Sequence, residues 1–244
     1  MREEKYNARY FRDSLPDWKR KKDPPLSRIF YRPVSFVLAS FFTKLGIGAN
    51  GVSNFSTLIG MIACIFMIIP QYWAGIAGAL LINFWLVLDC TDGNIARAVK
   101  AEPYGEFVDA TSSYLLCGLI FNFLGLRVYF FGGALEINPV IIVVLGGLAS
   151  SFDTLMRLIY QKYVVVSRDE GRDTKIAVDG RNAGTIDKIR IKVDQNLNLG
   201  GILPLAILIG CIFNVLDVVI ICWFFYFGMV CLATVLYLLR KVKG

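Results

Sequence analysis

From Leu45 to Leu88 the chain carries no Asp, Glu, Lys or Arg, and the run ends on two carboxylates, Asp89 and Asp92. A hydrocarbon core ~30 Å thick needs about 20 apolar helical residues per crossing. The run is therefore long enough for two crossings, and Pro70-Gln71-Tyr72-Trp73 supplies the break between them. Whatever the chain folds into, Asp89 and Asp92 sit where an apolar helix leaves the membrane. An acidic side chain at membrane depth costs about 2.5–3.5 kcal/mol, so it faces a cavity, an ion or a partner and marks function.

Composition extends this to the whole chain. Of its 244 residues 56% are hydrophobic and only 18% charged, with mean hydropathy +0.56. That excludes an ordinary soluble domain and predicts an all-α, polytopic membrane protein. Apolar runs predict six transmembrane helices, at about 51–70, 73–97, 104–126, 138–160, 197–214 and 217–239, with Asn214 to Asp217 breaking the last two. From Leu26 to Leu45 a mixed pattern, with Arg28, Arg32 and Lys44 flanking Phe36, Val37, Phe41 and Phe42, predicts an amphipathic helix in the membrane interface, basic residues toward lipid head groups. The expected division is residues 1–48, N-terminus and juxtamembrane helix, and residues 49–244, a six-helix membrane domain.

Orientation follows from the basic residues. All but Arg127 of the 26 lysines and arginines fall before the first span, beside Arg97, between Arg157 and Lys192, or at the C-terminus. The positive-inside rule predicts that both termini and the Asp89 motif face the cytoplasm, in a multi-pass cell (inner or plasma) membrane protein. The charged first 30 residues contain no apolar core, so no signal peptide is expected. A net charge of +7 is then a membrane-surface signature, and no nucleic-acid partner is expected. The six cysteines show no C-x-x-C pairing and predict neither disulfides nor zinc. With no histidine, proton transfer falls to carboxylates, lysine, tyrosine, water or substrate.

The motif itself is Asp89-Cys-Thr-Asp92-Gly93-Asn-Ile-Ala96-Arg97. On a helix Asp89, Asp92, Gly93 and Ala96 fall at i, i+3, i+4 and i+7, one face; Gly105, Asp109 and Ser113 do the same on the next helix. Three carboxylates converging from two helices repel one another unless a cation lies between them. Hard oxygen ligands suit magnesium, manganese or calcium. Gly93 and Ala96 also permit close helix packing, and Arg97, one turn beyond Asp92, suits a phosphate as well as a positive-inside anchor.

These residues resemble the signature of the CDP-alcohol phosphotransferases (CDP-alcohol phosphatidyltransferases), D-x2-D-G-x2-A-R-xn-G-x3-D-x3-D. Asp89, Asp92, Gly93, Ala96, Arg97, Gly105 and Asp109 match. The spacer between Arg97 and Gly105 has seven residues where the pattern has about eight, and the fourth aspartate is replaced by Ser113. Ala49-Asn50-Gly51-Val52-Ser53 resembles the family's P-N-x-x-T segment near the nucleotide, although Asn50 or Ser53 would equally serve as a helix N-cap.

The resemblance implies Asp89, Asp92 and Asp109 as ligands of Mg2+ or Mn2+, in a pair of sites. It implies Gly93, Ala96, Gly105, Asn50 and Ser53 around the nucleotide, Arg97 on phosphate, and Asp109 with Ser113 at the reacting hydroxyl. It further implies a CDP-type donor, a lipid or alcohol acceptor, CMP release in phospholipid or related lipid and glycan synthesis, and a homodimer.

Ser113 cannot act as a base at neutral pH, and four explanations stand. Glu106, one turn before Asp109, substitutes; metal or substrate lowers the hydroxyl's pKa; the acceptor is already an anion such as a polyprenyl phosphate; or nucleotide binds without turnover. The alternative functions are thus phosphoglycosyl-type transfer to an anionic acceptor, a nucleotide-binding pseudoenzyme, or a transporter. Against transport, the carboxylates cluster at one membrane face and not at mid-depth. Asp153 and Arg157, at i and i+4, predict a charge-neutralising pair. Lys162, Arg168, Lys188, Arg190 and Lys192 are candidate contacts for an anionic acceptor, and Thr185 to Asn198 a candidate interfacial helix.

Overall fold

Helices, and no strands, make up the regular structure of the computed structural model, which describes residues 6–171 and 196–243. Two short helices, α1 (Ala8–Asp13) and α2 (Asp17–Lys22), lead to a π-helical turn, Ser27–Tyr31, continuous with α3 (Arg32–Lys44). The apolar helices are α4 (Ala49–Ile68), α5 (Tyr72–Ala98), α6 (Gly105–Phe131), α7 (Pro139–Asp169), α8 (Leu203–Phe213) and α9 (Leu216–Lys243).

Five of them, α4, α5, α6, α7 and α9, are long and apolar enough to cross a membrane. Their bounds lie close to the predicted spans, except that α6 runs on to Phe131 and α7 to Asp169. The span expected at 197–214 is represented by α8 alone. Its 11 residues rise only about 17 Å, short of a full crossing. The reason is a turn that hydropathy does not register. The Ile202 amide donates to the Asn196 carbonyl at 2.8 Å, and a Cβ on Gly201 would lie 2.1 Å from that same oxygen. Asn214, left-handed at φ 55°, closes α8 and makes the expected turn before α9. Most of the segment Thr185 to Asn198, with Lys188, Arg190 and Lys192, lies outside the described residues.

The helix expected at 26–45 is present, but Arg32 does not point toward head groups. Tyr31, Arg32, Ser35, Phe36 and Ala39 face inward, while Phe30, Val34, Val37 and Phe41 are exposed. The guanidinium turns inward because a carboxylate and a helix carbonyl there satisfy it more fully than water would. Phe11 and Leu15 from the preceding segment pack with Phe36, Ala39, Val52, Leu88 and Ile95 into one buried cluster.

In lipid, helices gain nothing from hiding apolar surface from tails that are equally apolar, so close packing through small residues takes over. A Cβ on Gly78 of α5 would meet the Ala63 carbonyl of α4 at 3.0 Å. On α7, a Cβ at Gly146 would meet the Phe121 carbonyl of α6 at 2.4 Å. Helix α4 packs extensively on both α5 and α6, whereas those two touch each other little. Gly60 marks the wedge: a Cβ there would lie 3.3 Å from Trp85 of α5 and 3.5 Å from Leu116 of α6.

Candidate active site at the mouth of α4, α5 and α6

The end of α5 and the start of α6 bring the sequence-predicted residues to one mouth, with α4 between them. Asp92 is buried at 3% exposure, and its Oδ2 accepts from Ser53 Oγ of α4 at 2.6 Å. Asp89, half-buried, accepts from Ser113 Oγ of α6 at 3.4 Å. Asp109 lies on the exposed side. Depth thus grades from Asp109 outside to Asp92 inside. Asp89 lies within electrostatic reach of Asp109, and Asp92 within reach of both. Among the described residues no lysine or arginine forms a salt bridge to any of the three. Nor, among those residues, do three acidic, cysteine or histidine side chains close into a ready-made metal cage. The acids line an open mouth.

Below this mouth, hydroxyls continue inward: Ser56 Oγ and Ser112 Oγ are 2.9 Å apart, and Trp85 Nε1 donates to Ser112 Oγ at 3.2 Å. Gly93 carries the Arg97 guanidinium across its open face, since a Cβ there would be 3.0 Å from Nη1. Ala96 is half-buried beside the cluster that α1 and α3 form on α5.

Neither Asn50 nor Ser53 caps α4. The N-cap is Gly48, and one of the free amides of the first turn is met by Glu102, whose Oε2 accepts from the Asn50 amide at 2.6 Å. Asn50 Nδ2 donates to the Pro103 carbonyl at 3.0 Å, and its Oδ1 is buried without a partner, 3.3 Å from where a Gly105 Cβ would lie. The α5–α6 loop is thereby pinned to the start of α4. A residue at Gly48 with a side chain would collide with the Glu102 carboxylate, 2.3 Å from its Cβ position. Tyr104, left-handed at φ 58° and exposed, turns the chain into α6.

A polar network absent from the sequence reading flanks the acids. Arg32 forks onto Asp23, with Nε–Oδ2 at 2.6 Å and Nη2–Oδ1 at 3.1 Å, and Lys19 Nζ lies 3.3 Å from Oδ1. Burial alone would raise the Asp23 pKa, but the Arg32 hydrogen bonds and charge, with help from Lys19, hold it below the ordinary carboxylate value. Arg32 Nη1 also donates to the Cys90 carbonyl at 3.3 Å and to Asn94 Oδ1 at 3.1 Å. Arg97 Nη2 donates to that same Asn94 oxygen at 3.2 Å. The contacts of Arg32 with Cys90 and Asn94 join residues 58 and 62 positions apart, and of the side chains in this network only those of Asn94 and Arg97 lie inside the motif.

Away from the mouth, Arg157 donates to Asp153 Oδ1 at 3.0 Å, the predicted pair. Gln161 Nε2 reaches Tyr114 OH at 3.0 Å, tying α7 to α6. All six cysteines are free.

The family model described as CDP-alcohol phosphatidyltransferase matches residues 30–189, from the start of α3 past the end of α7. Among curated proteins none matches.

Proposed function

The chain belongs to the CDP-alcohol phosphatidyltransferase family, and from that premise we propose that it moves a substituted phosphate group from a CDP-linked donor to an acceptor alcohol. CMP is released, and the pathway is phospholipid or related lipid and glycan synthesis. The observation that supports this reading is the mouth itself: three carboxylates, graded in depth across two helices, that form no salt bridge with a lysine or arginine among the described residues. Buried or half-buried acids left unpaired are costly, and their hard oxygens suit a divalent cation. Asp89, Asp92 and Asp109 would hold Mg2+ or Mn2+, in a pair of sites. When bound, such ions neutralise charge on the transferring phosphoryl group and align in-line attack.

The chain's own groups do the rest. Ser53 fixes the Asp92 carboxylate, and Arg97 lies across Gly93 where a pyrophosphate oxygen can meet it. Asn50 offers its orphaned Oδ1 as an acceptor to a nucleobase or ribose donor beside Gly105, with Gly93 and Ala96 leaving room for the nucleotide. The acceptor oxygen forms its bond to the donor's outer phosphorus as the bond to CMP breaks. The hydroxyl proton passes to Asp109 or to water, because Ser113 is occupied donating to Asp89 and is no base. The domain is residues 49–244, preceded by residues 1–48, in a homodimer. Cytoplasmic termini follow from the basic-residue asymmetry, and termini on one side require an even number of crossings, six if α8 takes part.

Ser113 also favours a second reading, in which the acceptor is already an anion and needs no base. Purified protein incubated with Mn2+, a panel of nucleotide donors and total lipid, with products identified by mass spectrometry, tests the first reading. A CDP-dependent phosphodiester product is expected, and products from other nucleotides only would overturn it. Ser113→Asp separates the two readings. A hydroxyl acceptor predicts unchanged or faster turnover, by ~10²–10⁴-fold for a well-placed base. An anionic acceptor predicts a loss, from like charges a few ångströms apart.

A further inference from the structure

We propose that the segment before α3 is part of the catalytic mouth, and that Lys19, parked on Asp23, is a binding residue for a phosphate group of the substrates. This rests on the proposed transferase reading but adds a residue from outside the motif. Two ties fasten the segment to α5. The first is the Asp23–Arg32 fork, which Arg32 extends to the Cys90 carbonyl and Asn94. The second is Tyr10, whose hydroxyl donates to the Ala98 carbonyl at 2.7 Å. The motif residues Gly93, Ala96 and Arg97 lie between those two points on the same helix.

The fork leaves Lys19 with a poor share of its partner. Arg32 takes both Asp23 oxygens, so Lys19 meets only Oδ1, at 3.3 Å, and shares it. Its side chain is 27% exposed against 6% for Arg32. Lys19 is also within electrostatic reach of Asp89 and Asp109, although it is in salt-bridge contact with neither. Lys19, Arg32 and Arg97 are thus linked into one chain of cations beside the motif, through Asp23 and Asn94. An anion bridging acids and cations fits that layout, and phosphate oxygens are the anion the reaction brings. A lysine whose ammonium is a mobile point charge can exchange a shared carboxylate for a phosphate at little cost.

The test uses the full chain in detergent or nanodiscs, with Mn2+ present, and titrates CDP, cytidine and inorganic phosphate by calorimetry. Lys19→Ala is compared with Lys19→Arg and with Lys21→Ala, an exposed neighbour on the same helix. The expected result is at least about 10-fold weaker binding of CDP by Lys19→Ala, the scale of one charge-assisted hydrogen bond. Cytidine binding and melting temperature should be unchanged, Lys19→Arg should restore most of the affinity, and Lys21→Ala should match wild type. If CDP is unaffected but inorganic phosphate added to the CDP complex binds about 10-fold weaker, Lys19 serves the acceptor phosphate, which also supports the proposal. Equal losses in Lys19→Ala and Lys21→Ala, or no loss of either phosphate ligand, would overturn it while leaving the transferase reading intact. A wild-type protein that binds no CDP would overturn both.

Discussion

Arg127 and Asp217 at one end of the helix bundle and the motif acids at the other handle charge in opposite ways. Asp109 and Arg127 both lie on α6, 18 residues apart in the sequence, about 27 Å along the axis. At the far end Arg127 is buried, donates to the Ile69 carbonyl and covers the Phe131 ring at 3.9 Å. Asp217 there accepts from the Leu135 amide at 2.6 Å and the Val218 amide at 2.9 Å. Each of these two buried charges is answered by backbone. At the near end Asp92 and Asp89 accept from the Ser53 and Ser113 hydroxyls, and among the described residues no lysine or arginine forms a salt bridge to Asp89, Asp92 or Asp109. Charge that is satisfied within the chain holds the fold together; charge left unanswered is available to something the chain binds.

If that division holds, changes at the two ends should separate activity from stability. The largest effect is expected for Asp92→Asn. It should lower metal-dependent turnover by at least about 10³-fold while the melting temperature stays the same or rises, because an unpaired buried charge is removed. Scanning calorimetry beside a product assay checks this, and full activity in this variant would end the metal-site reading. Next in size, Arg127→Met should destabilise the protein by roughly 1–3 kcal/mol through the unsatisfied Ile69 carbonyl. Turnover per folded molecule should be unchanged. A loss of kcat without a loss of stability would break the comparison.

The smallest effect concerns pH. Asp23 has its folded-state pKa depressed below the usual value, chiefly by Arg32 working against burial. Its contribution is therefore fully present above the unfolded-state value of about 4 and is lost as pH falls through the lower folded-state value. Melting temperatures of wild type and Asp23→Asn should differ at pH 6 and converge below about pH 4. A difference that persists unchanged into that range would mean that the fork contributes nothing through Asp23 ionisation.

What the sequence made legible followed from regular spacing. Asp89, Asp92, Gly93 and Ala96 recur with the helix period, and apolar runs mark α4 to α7 and α9 to within a few residues, except where α6 and α7 run longer. Asp153 and Arg157 paired because i and i+4 neighbours meet on any helix. The errors arose where geometry depends on tertiary partners. Arg32 reads as a lipid-facing anchor until Asp23 and the Cys90 carbonyl are placed inside it. Glu102 caps α4 from 52 positions away, and no local pattern predicts that. Residues 197–214 average as a span, yet the chain folds back between Asn196 and Ile202 before α8 begins. Hydropathy measures solvent preference, and a turn among apolar residues does not change it.

Gly60 has no functional group and lies a full turn deeper than Ser56, yet it acts as the gauge of the active mouth. The halves of the acidic motif ride on α5 and α6, which scarcely touch; their separation is the thickness of α4, thinnest where Gly60 faces Trp85 and Leu116. A methyl added there, 3.3 Å from the indole, would push the two helices apart as a shim opens a vice. The span between Asp89 and Asp109 would widen with every polar side chain still in place. The spacing of the motif acids is thus set by apolar packing in the bilayer, and thicker or thinner lipid that tilts α4 would alter that spacing from outside.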